Sequence, residues 1–112
     1  MKKIEAIIRP EKLPSVRQAL EDIGYPGITI TEVRGHGKQK GLVQQWRGQA
    51  HRIEYLTKVK IEVVVLDEDE DRTVGVIVRK ARSGEVGDGK VFVYSVENAI
   101  RVRTGEAGVN AI

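Results

Sequence analysis

Val59-Lys60-Ile61-Glu62-Val63-Val64-Val65, followed after Leu66 by the acidic run Asp67-Glu68-Asp69-Glu70-Asp71, is the stretch on which the reading of this chain turns. Branched apolar residues at every second position predict a strand with one buried face. The acids behind it stand at the start of a helical pattern, and Arg79, Lys80 and Arg82 stand at its end, the polarity that a helix dipole favours. Val74, Ile77, Val78 and Ala81 supply the apolar stripe of that helix, and Gly84 is placed to cap it. Gly75, in the helix interior, should cost about 1 kcal/mol relative to alanine.

Outward from this strand and helix, the rest of the chain falls into order. Downstream come the glycine-rich turn Gly84-Glu85-Val86-Gly87-Asp88-Gly89-Lys90 and a strand from Val91 to about Ser95. A tail over residues 101–112 begins inside the short alternation Ile100-Arg101-Val102-Arg103-Thr104-Gly105, which would put both arginines on one side. Upstream lies the long polar stretch Gly35 to Lys58, GHGKQKGLVQQWRGQAHRIEYLTK, with no sustained period of two or 3.6. Before it, Ile28 to Val33 reads as a strand that should pair with the one at Val59. Leu13, Val16, Ala19, Leu20 and Ile23 give a helical stripe, with Pro14 in the first turn and Gly24 as its stop. Ile4, Ala6 and Ile8 alternate with Lys3, Glu5 and Arg9 in a first strand ended by Pro10. Strand, helix, strand, strand, helix, strand is the α+β, ferredoxin-like split βαβ order (βαββαβ), here with a long loop between strands two and three.

Composition bounds what such a fold can be doing. The 112 residues with 40% hydrophobic content are expected to form one domain, residues 1–112. A net charge of +3 is too small to demand nucleic acid but suits a local site for a small anion. With no cysteine there is neither a thiolate metal site nor a thiol nucleophile, and a cytoplasmic setting is expected. Met1-Lys2-Lys3 leads into an alternating segment, and no run reaches the roughly 18 apolar residues of a membrane span, so no membrane insertion is expected.

Three basic, glycine-bearing elements could together cradle a polyphosphate. They are the loop base, with Gly35, Gly37, Lys38, Lys40 and Gly41; the turn, with Gly87, Gly89 and Lys90; and the tail, with Arg101 and Arg103. Glycines let backbone N–H groups reach phosphate oxygens, lysine supplies a point charge and arginine can bind two oxygens at once. Taken singly, each also fits a tight turn, a solvated strand face or a soluble loop. None matches a Walker A loop, because Lys90 leads into a strand.

The run S-G-E-V-G-D-G-K-V-F-V at Ser83 to Val93 resembles the C-terminal signature of the PII nitrogen-regulatory signalling proteins. The opening M-K-K-I-E-A-I-I-R-P-E-K-L, the run T-E-V-R-G-H-G-K-Q-K-G, the segment K-V-K-I-E-V-V-V and the tail I-R-V-R-T-G-E resemble PII segments in the same order, so the likeness spans essentially the whole chain. It implies a homotrimer binding ATP or ADP between subunits, with a T-loop at about residues 36–55 that docks on target proteins of nitrogen metabolism. Carried over by position, the resemblance places Gly35, Gly37, Lys38, Gly87, Asp88, Gly89 and Lys90 at the nucleotide, with Arg101 and Arg103 reaching it from a neighbouring subunit. Thr29, Glu62 and Val64 fall around adenine and ribose. Arg9, Gln39, Lys40, Gly41 and Lys58 fall at 2-oxoglutarate, and Gln39 also at a magnesium ion already held by ATP and that metabolite. These assignments suit the chemistry, since magnesium takes oxygen ligands and a lone ammonium partners one carboxylate.

The chain departs from the family at the loop tip. His51 stands where many members carry the tyrosine that accepts a nucleotidyl group, and Gln49 stands where some carry a phosphorylated serine. Uridylylation is therefore not expected. Trp46, Arg47, Gly48 and His51 become candidates for partner contact, with Trp46 as an aromatic anchor.

Three classes of function compete. The resemblance favours a regulatory binding protein that is not an enzyme, sensing ATP or ADP and 2-oxoglutarate and acting on enzymes, transporters such as an ammonium transporter, or transcription; it leaves room for weak incidental ATPase activity. A small phosphate- or acyl-phosphate-hydrolysing enzyme is the alternative, with Arg9, Lys90 and Arg101 holding phosphate, but no general base or nucleophile is evident. Direct nucleic-acid binding lacks the stacking aromatics of an RNA-recognition sheet, Phe92 being the sole phenylalanine.

Overall fold

Every second residue of the two central strands is apolar, and in the computed structural model, which describes residues 1–35 and 56–112, those residues form the floor of the core. Strand β1 (Lys2–Ile8) buries Ile4, Ala6 and Ile8. Strand β3 (Leu56–Val65) buries Val59, Ile61, Val63 and Val65. Helix α1 (Leu13–Asp22) contributes Val16, Ala19 and Leu20 from above, as its stripe predicts. It stops at Gly24, which takes φ 95 and donates its N–H to the Glu21 carbonyl.

Strand β2 (Thr29–Gly35) and strand β4 (Gly89–Ser95) complete a four-stranded sheet in the order β2-β3-β1-β4, all neighbours antiparallel. The expected pairing of strands two and three holds, with Thr29 opposite Glu62 and Val33 opposite Lys58. Helix α2 (Glu70–Ala81) packs beside α1 on one face of the sheet. The order of elements and the sheet topology are those of the α+β split βαβ fold.

Three local expectations need correction. The buried face of α2 consists of Thr73, Val76, Ile77 and Ala81, while Val74 and Val78 are only half-buried. Thr73 can sit there because its hydroxyl donates to the Asp69 carbonyl one turn back, 2.7 Å away. Gly84 does not cap this helix: Ala81 is its last residue, Arg82 is extended, and Gly84, at φ 92, belongs to the turn beyond. The alternation at Ile100 is not a strand either. Residues 102–104 form a turn closed by the Gly105 N–H on the Arg101 carbonyl and flanked by a bridge between Ile100 and Ala107. At Gly75 an added Cβ would meet nothing within 4 Å, so packing does not demand a glycine there.

Candidate functional site

The sheet register brings several predicted site residues to one end of the molecule. Ile8 pairs with Gly89 and Ile7 with Lys90, so Arg9, the next residue of β1, emerges beside the turn Ser83 to Gly89. Gly89 has φ 104, and a Cβ on it would lie 1.8 Å from the Ile7 carbonyl oxygen. Only glycine lets the two backbones approach so closely. Gly87, at φ 100, also occupies the left-handed region.

Side chains grip this turn from within and from the sheet. The Asp88 carboxylate accepts the Ser83 and Gly84 N–H groups, each at 2.9 Å, and the Ser83 hydroxyl. Arg9 Nε donates to Asp88 Oδ1 at 3.1 Å, and Arg9 Nη2 donates to the Val86 carbonyl at 2.8 Å. These bonds, foremost those from Ser83, hold the Asp88 carboxyl well below the usual carboxylate range. From β3, the Lys58 ammonium donates to the Gly87 carbonyl. Burial first and the neighbouring Arg9 charge second push the Lys58 pKa down. Gly87, Asp88, Gly89, Lys58 and Arg9 thus meet, with exposed Lys90 beginning β4. The Asp88 side chain is occupied in shaping the turn, so any ligand there would meet Asp88 through its backbone.

A second group gathers elsewhere. Thr29, Glu62 and Val64 line one cavity of about 820 Å³ with Lys3, Tyr25 and Leu66. Val64 and Lys58 are six residues apart on β3, about 20 Å at the usual strand rise, so this cavity and the turn lie toward opposite ends of the strands. Glu62 is ion-paired with Lys3 at 3.2 Å, and the Lys3 ammonium also sits over the Tyr94 ring, 4.8 Å from its centre. At the cavity wall, Tyr25 donates to Asp69 and accepts the Leu66 N–H at 3.2 Å. Burial, reinforced by Asp69, raises the Tyr25 pKa.

The tail forms a third group. Arg101 Nη1 donates to Glu106 at 3.2 Å, and the Thr104 hydroxyl donates to the same carboxylate at 3.1 Å. Arg103 is exposed. Gly35 closes β2 opposite Leu56. Gly37, Lys38, Gln39, Lys40, Gly41, Trp46, Arg47, Gly48 and His51 lie outside the described residues, as does the whole loop expected at about 36–55.

Sequence reading missed the partners that organise these groups: Ser83, the Val86 carbonyl, Glu106 and Lys3. Ser83 opens the quoted motif five residues before Asp88, and that spacing was the available signal.

Fold and geometry together define a small α+β protein whose glycine turn and flanking cations suit an anionic ligand. The family model for Nitrogen regulatory protein P-II matches residues 1–106. The chain is 55% identical over 112 residues to the Nitrogen regulatory protein P-II of Haemophilus influenzae, covering all of both chains. It is 53% identical to Nitrogen regulatory protein P-II 2 of Methanothermobacter thermautotrophicus, covering all of this chain and 97% of the relative. To Nitrogen regulatory protein P-II 1 of Escherichia coli it is 51% identical over the full length of both. The chain belongs to the P-II nitrogen regulatory protein family.

Proposed function

We propose that this protein is a cytoplasmic regulatory module that binds ATP or ADP and 2-oxoglutarate and passes their levels to enzymes, transporters or transcriptional regulators of nitrogen metabolism. The observation that carries the reading is the convergence of Arg9 and Lys58 on the Val86-Gly87-Asp88-Gly89 turn, in a chain of this family. The residues present fit an anionic group, because a glycine backbone with no room for a side chain stands beside two fixed cations.

Each chain residue then has a task. Gly87, Gly89 and Lys90 receive phosphate, while Thr29, Glu62 and Val64 line a cavity that takes adenine and ribose. Because these two groups point to opposite ends of the strands, a homotrimer in which one subunit's cavity faces another's turn would unite them, with Arg101 and Arg103 contributed across the interface. Lys58 would exchange the Gly87 carbonyl for the distal carboxylate of 2-oxoglutarate. Gln39 would offer a neutral amide oxygen to a magnesium ion already held by ATP and the dicarboxylate. Residues 36–55 would contact target proteins and shift between populations as ligands bind. With His51 at the acceptor position, control is by small molecules and not by uridylylation.

Calorimetric titration with ATP, magnesium and 2-oxoglutarate together tests this. Lys90→Ala or Arg103→Ala should each weaken ATP by roughly 1.5 to 3 kcal/mol, on the order of ten- to hundredfold. Lys58→Met should abolish the 2-oxoglutarate response while ATP still binds. Unchanged ATP affinity in the first two variants would remove the nucleotide assignment.

A further inference from the structure

Arg9 stands at the end of β1, where the register with Gly89 delivers it to the turn, and two of its nitrogens are already committed there. Nε holds Asp88, and Nη2 holds the Val86 carbonyl two residues earlier. The Arg9 side chain is only 14% exposed and that of Asp88 25%, so the pair is more sheltered than a surface ion pair. Through Asp88 the grip reaches further: the carboxylate ties the Ser83 and Gly84 N–H groups, and the Ser83 hydroxyl in turn accepts the Glu85 N–H at 3.1 Å. One guanidinium therefore fixes both limbs of the loop, its entry at Ser83 and Gly84 and its exit at Val86 and Asp88. A dicarboxylate arriving at Arg9 would have to compete with an ion pair and a carbonyl that are both in place.

We propose that Arg9 is a positioning residue for the nucleotide, acting through Asp88 and Val86 to hold the Ser83 to Gly89 turn in its anion-receiving shape. The proposal rests on the nucleotide reading of that turn. If Arg9 acts in this way, its loss is felt by ATP in the absence of 2-oxoglutarate, and its effect shrinks to that of the Val86 bond once Asp88 can no longer answer it.

The test is a double-mutant cycle on the full chain, with ATP affinity measured in the absence of 2-oxoglutarate. Arg9→Gln and Asp88→Asn should each lower ATP affinity about tenfold, and the double variant should be no more than about twofold worse than the weaker single variant. Arg9→Lys, which keeps the charge but has one donor head in place of a fork, should recover part of the loss. Amide exchange at Ser83 and Gly84 should accelerate in both single variants. Ser83→Ala, which spares both charges, should show a smaller loss of ATP affinity. Retention of ATP affinity within about twofold in Arg9→Gln with loss of the 2-oxoglutarate response, or fully additive losses in the cycle, would overturn the proposal. Failure of the unsubstituted chain to bind ATP defeats the nucleotide reading itself and this inference with it; normal binding with insensitive Arg9 variants defeats only the inference.

Discussion

The Ser83 to Gly89 turn and the tail at Ile100 to Ala107 each combine glycine at positive φ, a hydroxyl and an acid that pairs with an arginine, Arg9 of β1 for the turn and its own Arg101 for the tail, yet they are held very differently. In the turn, the acid faces inward and collects the arginine, the hydroxyl and two backbone N–H groups, while Gly89 is pressed against the backbone of β1. In the tail, Arg101 and Glu106 meet in an ion pair with each side chain at least 40% exposed, and Val102 is fully exposed. The composition of a loop thus says little about its rigidity. What separates the two is attachment to the sheet, which part-buries the Arg9 bond to Asp88 and the Lys58 bond to Gly87 while the ion pair of the tail competes with water.

The largest expected effect contrasts two glycines. Gly89→Ala should destabilise the fold by about 3 kcal/mol or more, since the new methyl would strike the Ile7 carbonyl and also sit at a positive φ. Gly105→Ala has a positive φ, 75°, but open space around it, and should cost only about 1 kcal/mol. Denaturant unfolding of the two variants checks the contrast, and equal losses would break it.

Next in size is Asp88→Asn, expected to cost about 2 kcal/mol at neutral pH through its charge-assisted hydrogen bonds. The sign of its pH dependence follows from the lowered Asp88 pKa. The folded protein holds the ionised form, so the contribution is complete above the ordinary carboxylate value of about 4 and fades as pH falls toward the lower folded value. Unfolding measured from pH 7 downward should show the two proteins converging below about pH 4, and a constant gap would mean that charge plays no part.

The smallest effect belongs to the tail. Glu106→Gln should change stability by about 0.5 kcal/mol or less, and 1 M salt should erase most of that difference. A larger, salt-insensitive loss would show the tail to be as firmly held as the turn.

Much of the fold was legible because its signals are local. Alternation at Ile4 to Ile8 and at Val59 to Val65 marks the two central strands, and the stripe from Leu13 to Ile23 marks α1. The stripe of α2 is right at Ile77 and Ala81 but omits Val76 and Thr73, the latter because a threonine whose hydroxyl is satisfied by its own helix behaves as a core residue and looks polar in sequence. The tail differs for another reason: Ile100 to Val102 alternates like a strand, but a turn at residues 102–104 carries the chain back before a ladder can form.

The candidate site was legible as an inventory and not as an arrangement. Glycines, lysines and arginines named the chemistry of an anion, and Gly87, Gly89 and Lys90 could be picked out together because they are neighbours in the chain. Arg9 and Asp88 are 79 residues apart, and no local pattern could show that one holds the other. Periodicity, turn chemistry and charge act over a few residues, so the sequence by itself determined the elements and their order. Strand register acts across the chain, and tertiary structure alone decided that Ile8 lies against Gly89, that Arg9 therefore shapes the turn, and that the Thr29, Glu62 and Val64 cavity opens toward the other end of the strands.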